Sequence, residues 1–348
     1  MMYRYYRYTL DEAFLRDTAY PFMVGAMRVY EGMLKRDGEA YTLPVSVSPE
    51  YHTKDTHSAW GRNASFQLAC IHRLLEDLQG ACAALGLVPE PQWTEIQQHL
   101  PKACLIADDG GEQIAIWEGV ELQESHRHHS HLAGITPFDV LDADDPAWRD
   151  IIQHSIARWL YRGPGLWSGW CVPWASMIHT HLGKGEAAEL YLEIWERVFT
   201  NEGHGTLHDA HVPGFSLFYP GSYFGFTNRP KEVMQIEAGM AATAAIQEML
   251  LHTRRGVNYL FAGAPARWRD AAFRGMRTDG AFLVSAERKT GEVTRVTVES
   301  PAGGIFKVAN PWGDAPVMVK GAGNTDTYAG TVLEIPTEVG KTYEMVKG

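Results

Sequence analysis

The chain has 348 residues, 45% of them hydrophobic, and a formal net charge of −11. That is ample for a large buried core and allows one big domain plus a small one. Acidic and basic residues are mixed along the chain without a basic stripe, which argues against a nucleic-acid partner, and no apolar run is long enough to span a bilayer.

The start, Met1-Met2-Tyr3-Arg4-Tyr5-Tyr6, has no signal-peptide apolar region. Pro21 reads as a first-turn proline opening a helix with Phe22, Ala26, Tyr30 and Met33 or Leu34 on one face. The next helix runs from about Ala64 to Leu85 on a stripe of Ile71, Leu74, Leu75, Leu78, Cys82 and Leu85, with Gly86 as its stop. A short helix follows Pro91, and another carries Trp148, Ile152, Ile156, Trp159 and Leu160. Helices near Trp170–Leu182, through Leu190, Tyr191, Ile194, Trp195 and Val198, and over about Met234 to Leu251 complete the set. Loops rich in His, Gly and Pro join them at 43–63, 104–146 and 201–233. After Gly256 the period changes to two: Phe282, Val284 and Ala286 alternate, Lys289-Thr290-Gly291 is a turn, and Val296 and Val298 alternate again. Ile305, Val308, Val317, Val319, Val332 and Ile335 continue as short strands. These elements predict a mainly α protein, with a helical domain over 1–255 and a small antiparallel β-sandwich over 256–348.

Cys70, Cys82, Cys104 and Cys171 form no Cys-x-x-Cys pair, so the chain reads as soluble, thiol-bearing and cytoplasmic. Asn63-Ala64-Ser65 has the form of a glycosylation sequon, taken here as chance in the absence of a secretion signal. Eleven tryptophans and fifteen tyrosines could pack against the C–H faces of sugar rings or fill a core.

Four stretches could carry chemistry. Val47-Ser48-Pro49-Glu50-Tyr51-His52 aims a carboxylate from a loop between helices, although a solvated loop glutamate has the same pattern. Glu124-Ser125-His126-Arg127-His128-His129-Ser130-His131 gathers directed hydrogen-bond donors suited to hydroxyl groups. Histidine is also a common metal ligand, but no acidic or cysteine partner shows ligand spacing, so no metal and no cofactor are assigned. Buried structural histidines are the alternative reading for one or two of the four. His208-Asp209-Ala210-His211 follows a glycine-rich turn, and Gln235-Ile236-Glu237 opens the last helix, where Glu237 also suits the helix dipole.

His126-Arg127-His128-His129-Ser130-His131-Leu132-Ala133-Gly134-Ile135-Thr136-Pro137 resembles the His-Arg-His-x-Ser-His-Leu-x-Gly-x-x-Pro signature of glycoside hydrolase family 95. Ser48-Pro49-Glu50 is similar to that family's Ser-Pro-Glu-Asn motif, and Asp209-Ala210-His211 with Gln235-Ile236-Glu237 is similar to its Asp-Ala-His…Gln-Ile-Asp-Gly-Asn stretch. The resemblance implies an inverting, exo-acting hydrolase of α-L-fucosides or α-L-galactosides on an (α/α)6 helical barrel. By the same resemblance Glu50 is the general acid, and Glu237 stands where the family has an aspartate that helps activate the base. Arg127 and His128 would contact the sugar, with His126, His131, Asp209, His211 and Trp170 completing the substrate-binding set. The helices are too few for a closed barrel, and the family's asparagine-bearing segment is expected upstream of Met1. The barrel is thus expected to be incomplete at its N-terminus: the chain is a fragment, a subunit whose barrel a homo-oligomer or a second chain completes, or a remodelled fold. The alternative is a non-catalytic sugar-binding relative that needs a partner chain. Gly214 to Val233, with Phe215, Phe218, Tyr219, Tyr223 and Phe226, reads as an insertion, either an aromatic lid or a packed surface loop.

Overall fold

The computed structural model describes residues 1–52, 57–219 and 232–348. The chain divides into two compact units. One comprises Met1–Tyr20, His179–Ala188 and Ile246–Gly348; the other comprises Pro21–Ile178 and Glu189–Ala245. The division falls inside the helices Cys171–His181, Gly185–Val198 and Ile236–Leu250.

The mainly α expectation is overturned. The described residues are 37% helical and 25% strand, in several sheets, and no helical barrel is evident among them. The physical reason lies in the connections. A helical barrel needs successive helix–helix hairpins, whereas here the connecting segments build sheets of their own. Lys35–Asp37 pairs with Ala40–Thr42, and Leu105–Asp108 pairs with Gly111–Ile114. The helix Pro146–Arg162 meets the second of these hairpins, where Ser155 Oγ accepts from the Ile114 amide at 2.8 Å. Its apolar stripe, Ile152, Ile156 and Trp159, is therefore covered in part by a strand and not by a partner helix alone.

Local signals explain where these helices begin and stop. Asp145 caps Pro146–Arg162 by accepting from the Ala147 amide at 2.9 Å, with proline in the first turn. Ser65–Leu85 buries Leu68, Ile71, Leu75, Leu78 and Cys82 and ends at Gly86 with φ of 67°, a left-handed cap. Pro21 sits in the first turn of the helix Tyr20–Met33, as the sequence predicts. A π-turn over Leu15–Ala19 comes first, in which Tyr20 N–H donates to Leu15 O, and Pro21 follows within Tyr20–Met33. The wider turn accommodates a residue that has no N–H to give. The buried face is Met23 and Met27, offset by one position from Phe22 and Ala26.

In the first unit a six-stranded antiparallel sheet runs in the order Asn324–Tyr328, Val317–Gly321, Lys341–Lys347, Glu292–Ser300, Leu283–Lys289, Ala271–Arg277. A four-stranded sheet runs Val332–Thr337, Gly304–Ala309, Val257–Leu260, Leu251–Arg254. Alternate residues Val284 and Ala286, Val296 and Val298, Tyr343 and Met345 point into one core with Phe306, Val308 and Ile335. Phe282 and Phe306 meet edge to face at 5.2 Å there. The helix Met2–Thr9 joins this unit through Arg7, 3.0 Å from Asp279, and through Arg277, which donates to Tyr8 O. Arg254 lies 4.5 Å over the Tyr259 ring and donates to His181 O.

Among the described residues no helix is long and apolar enough to cross a membrane. One buried amide fixes the approach to the site in the second unit. Asn63, at φ of 57°, accepts through Oδ1 from the Leu43 amide at 2.8 Å and from Thr42 Oγ1 at 3.0 Å. Leu43 is fully buried, so its N–H has no water to turn to. Asn63→Ala is expected to lower the stability of the chain by about 1–3 kcal/mol, read from the urea midpoint, as a buried donor loses its acceptor. A loss below about 0.5 kcal/mol would show the amide to be dispensable.

Candidate active site

The loop Ser48–His52 and the segment Gln123–Ser130 are joined residue by residue. Ser48 Oγ and Ser130 Oγ lie 2.6 Å apart, and His126 Nε2 donates to Pro49 O at 3.0 Å. Arg127 Nε donates to Glu50 Oε2 at 2.6 Å, and Arg127 Nη2 donates to the same oxygen. The Gln123 amide donates to Tyr51 Oη at 2.9 Å. Tyr51 is fully buried, stacked on His52 at 4.1 Å and edge-on to His126 at 5.0 Å and Trp117 at 5.6 Å. This buried ring anchors the loop, so Glu50 is held outward at φ of 55°, a left-handed conformation that costs a glutamate energy.

The four histidines of the cluster divide by surroundings. His129 is fully buried; its Nε2 donates to Cys171 O at 2.8 Å and its Nδ1 accepts from Trp159 Nε1 at 3.1 Å. Trp159, Trp167 and Trp174 surround it at 4.9, 4.6 and 5.3 Å. It is a core residue. His131 is buried as well, which pushes its pKa down to about 3. His126 is lowered to about 3 by burial and then by neighbouring His128, and it holds the Pro49 carbonyl. His128 alone of the four faces the carboxylate, with Nδ1 3.9 Å from Glu50 Oε2, and burial lowers its pKa too. A neutral imidazole here can both donate to and accept from a hydroxyl.

Partial burial of a carboxyl raises its pKa. Burial does act upward, but the hydrogen bond and charge of Arg127, with the charges of His128 and His208, outweigh it. The carboxyl stands below its ordinary value, an ionised group gripped by a guanidinium.

Beside this pair lies a cavity of about 270 Å³ with almost wholly apolar walls: Pro49, Phe66, Phe138, Trp170, Trp174 and Met177, with His128 at its edge and Thr136 and Pro137 between. The Thr136–Pro137 peptide is cis, and Trp174 Nε1 donates to Thr136 O at 3.0 Å. Indole and phenyl faces of this kind suit the C–H face of a ring.

A third segment closes on Trp170. The Gly169 amide donates to His208 O at 3.0 Å, and a Cβ at residue 169 would sit 2.0 Å from Leu207 O, so only glycine permits the approach. The Trp170 amide donates to Gln235 Oε1 at 2.6 Å, while Thr206 Oγ1 donates to Gln235 O at 2.7 Å. His208 Nδ1 and Asp209 Oδ1 are 2.6 Å apart, and Asp209 is buried. The His208 ring is close enough to act on the charges of both Glu50 and His128.

Of the residues singled out from sequence, Glu50, Arg127, His128 and His126 thus come together. Trp170 meets them at the cavity, and Asp209 reaches them through His208. His131 lies in the core. His211 and Glu237 are exposed, the latter in the first turn of Ile236–Leu250, and no hydrogen bond among the described residues ties either side chain to the group. Sequence reasoning gave no role to Gln235, Tyr51 or Gly169; the fixed spacing of Gln235 ahead of Glu237 was the one available signal. Phe215 packs on Phe199 at 5.9 Å and Trp167 at 6.3 Å, while Tyr223 and Phe226 lie outside the described residues. Among the described residues no group of three or more His, Cys, Asp or Glu side chains could hold a metal ion.

The glycosyl hydrolase family 95 catalytic domain model matches residues 1–250. Alpha-L-fucosidase 2 of Arabidopsis thaliana is 25% identical over 303 residues, which cover 84% of this chain and 34% of that protein. The chain therefore spans about a third of the length of the curated relative it matches. A solved GH127 beta-L-arabinofuranosidase from Geobacillus stearothermophilus T6 is 12% identical, covering 99% of this chain and 52% of that one. Its TM-score of 0.27 is too low to bear on the fold. On the match over residues 1–250, which carries the histidine and Ser-Pro-Glu segments alike, the chain belongs to glycoside hydrolase family 95.

Proposed function

We propose that the chain is a glycoside hydrolase acting from the chain end on α-L-fucosides or the related α-L-galactosides, with inversion and with Glu50 as general acid. The observation that carries this reading is the Glu50 carboxylate held by Arg127 and His128 at the rim of an apolar-walled cavity. Hydrolysis of a glycoside needs a proton at the leaving oxygen and a water on the opposite face of the ring. A guanidinium and a neutral imidazole supply directed donors for sugar hydroxyls, and Trp170 supplies an apolar face. Without substrate, Arg127 keeps Glu50 ionised, the wrong state for an acid. A sugar that draws Arg127 onto its own hydroxyls releases Glu50 to take up a proton. The ion pair then keeps the acid unprotonated until substrate arrives.

The second reading is a non-catalytic sugar-binding relative. The exposure of Glu237 favours it, since no hydrogen bond among the described residues ties that carboxylate to the group. Turnover separates the two readings.

Glu50→Gln is expected to lower hydrolysis of an α-1,2-fucosylated oligosaccharide on the order of 10²–10⁴-fold, measured by an NMR time course that also reports the first anomer released. The same variant should unfold within about 1 kcal/mol of the parent chain, because the Glu50–Arg127 pair is largely exposed. Full activity in Glu50→Gln would remove Glu50 from the chemistry, and unchanged sugar binding without turnover in the parent would favour the second reading.

The pH profile gives an independent check. The kcat/KM profile reports the free protein, in which Glu50 titrates below its ordinary value of 4.5. The acid is protonated below that lowered pKa and lost as pH rises through it, so kcat/KM should fall from the acid side of pH 4.5 upward. The kcat profile reports the complex, where Arg127 has turned to the sugar, and its falling limb should lie at higher pH. Coincident limbs in the two profiles would contradict the exchange of partners.

A further inference from the structure

We infer that Trp60 is the platform on which the saccharide carrying the leaving oxygen stacks; this rests on the hydrolase reading above, in which Glu50 delivers a proton to that oxygen. The Trp60 side chain is 47% exposed, and Val45 and Val47 are exposed as well. Apolar residues scattered singly over a surface need no account, but these three share one face.

The alternation of extended chain puts them there. Ser46 and Gly61 form an antiparallel bridge, in which Ser46 N–H donates to Gly61 O at 2.8 Å and Gly61 N–H donates to Ser46 O at 2.9 Å. Val45, Val47 and Trp60 flank this pair and so turn to the side opposite it. Ser46 is buried, and a Cβ at residue 61 would stand 2.3 Å from the Trp117 ring. The bridged pair therefore faces inward, and the three apolar side chains face out. Arg62 shares their face, paired with Asp37 and Glu118, and rims the patch with charge.

The backbone beneath the indole is held from several sides. Ser46 Oγ donates to Gly61 O and accepts from the Ala64 amide, both at 2.7 Å, and the Val47 amide donates to Gln67 Oε1 at 2.8 Å. The Glu118 amide donates to Arg62 O at 2.9 Å. Trp117, on which Gly61 lies, meets the buried Tyr51 ring edge-on at 5.6 Å, and Tyr51 is the residue after Glu50. Trp60 and the acid thus stand on one packed framework, and none of these bonds needs an indole at position 60.

The spacing suits a saccharide. Glu50 is three positions after Val47, so their Cα atoms are at most about 10 Å apart. The antiparallel pairing sets the Trp60 backbone roughly 4.5 Å across from Val47. A proton donor and an exposed aromatic face at this separation fall within the span of a short saccharide, with the donor at its first oxygen and the face under a ring that follows. The indole meets the C–H face of such a ring, and the charged rim meets its hydroxyls. A protein partner fits less well, since a stable interface takes roughly 800 Å² from each side, more than three side chains offer.

The test uses the whole chain with α-1,2-fucosyllactose, whose leaving group is lactose, and α-L-fucosyl fluoride, whose leaving group carries no ring. Trp60→Ala is expected to raise KM for the fucosyllactose about 5–50-fold with a smaller effect on kcat. Its loss in kcat/KM should be at least about fivefold greater for the fucosyllactose than for the fluoride. Trp60→Phe keeps an aromatic face and should recover most of that loss, and both variants should melt with the parent because the side chain is exposed. Saturation transfer from the chain to free lactose, followed by NMR, should be present in the parent and weakened in Trp60→Ala. Parent-like KM in Trp60→Ala, or equal losses on the two substrates, would overturn the assignment. A parent dimer that becomes a monomer in Trp60→Ala would also overturn it, by giving the patch to a second copy of the chain. Absence of turnover in the parent would overturn the hydrolase reading and leave the platform to the lactose measurement: transfer lost in Trp60→Ala upholds a saccharide platform, and no difference between the two chains removes it.

Discussion

The site depends on one seam, the run of bonds between Ser48–Tyr51 and Gln123–Ser130. Each rung joins residues that are far apart in sequence: Ser48 to Ser130, Pro49 to His126, Glu50 to Arg127, Tyr51 to Gln123. The outer rung between Glu50 and Arg127 is solvent-exposed and contributes little to stability. The inner rungs are buried or half-buried, and the fully buried Tyr51 ring fills the space behind them. The seam therefore divides its labour. Its buried half fixes where the loop lies, and its exposed half carries groups free to exchange partners with a ligand.

Behind the seam the protein spends its aromatic residues on rigidity. His129 sits among three indoles with both ring nitrogens bonded, so the backbone that bears Arg127 and His128 has little freedom. Cys171 Sγ donates to Arg127 O at 2.6 Å from the start of Cys171–His181, which ties the same backbone to a helix. A directional site built on loops needs such backing, since loops are otherwise the mobile part of a structure. Gly169 and Gln235 extend the same principle to the third segment, one by lacking a side chain and the other by bridging two backbones.

The sequence made the segments of the site legible and left their electrostatics hidden. The Ser-Pro-Glu and histidine-rich motifs could be found by residue type and order, and four of their residues do converge. The direction of the Glu50 pKa could not be read, because it turns on Arg127 at a distance of 77 residues along the chain and on whether burial or charge wins. Glu237 looked like a partner carboxylate by motif, yet its place in a first helical turn is exposed, and helical phase alone does not tell which way a cavity lies. The stripes in Ser65–Leu85 and Pro146–Arg162 were visible as periodicity. What covers them was not, and the helical barrel implied by the family resemblance is not evident among the described residues, where hairpins and loops share in the covering. The strand alternation from Phe282 to Val298 was plain because a one-residue slip would turn every apolar side chain outward.

The left-handed backbone at Glu50 sets stability and activity against one another at a single position. A β-carbon at φ of 55° costs on the order of 1–3 kcal/mol that glycine would not incur. The seam holds that conformation through its neighbours and not through the carboxylate, so a glycine there would keep the loop and relax the strain. The price of aiming a carboxylate at the cavity is thus written into the backbone itself, where the most stable chain and the most reactive one would differ by a single side chain.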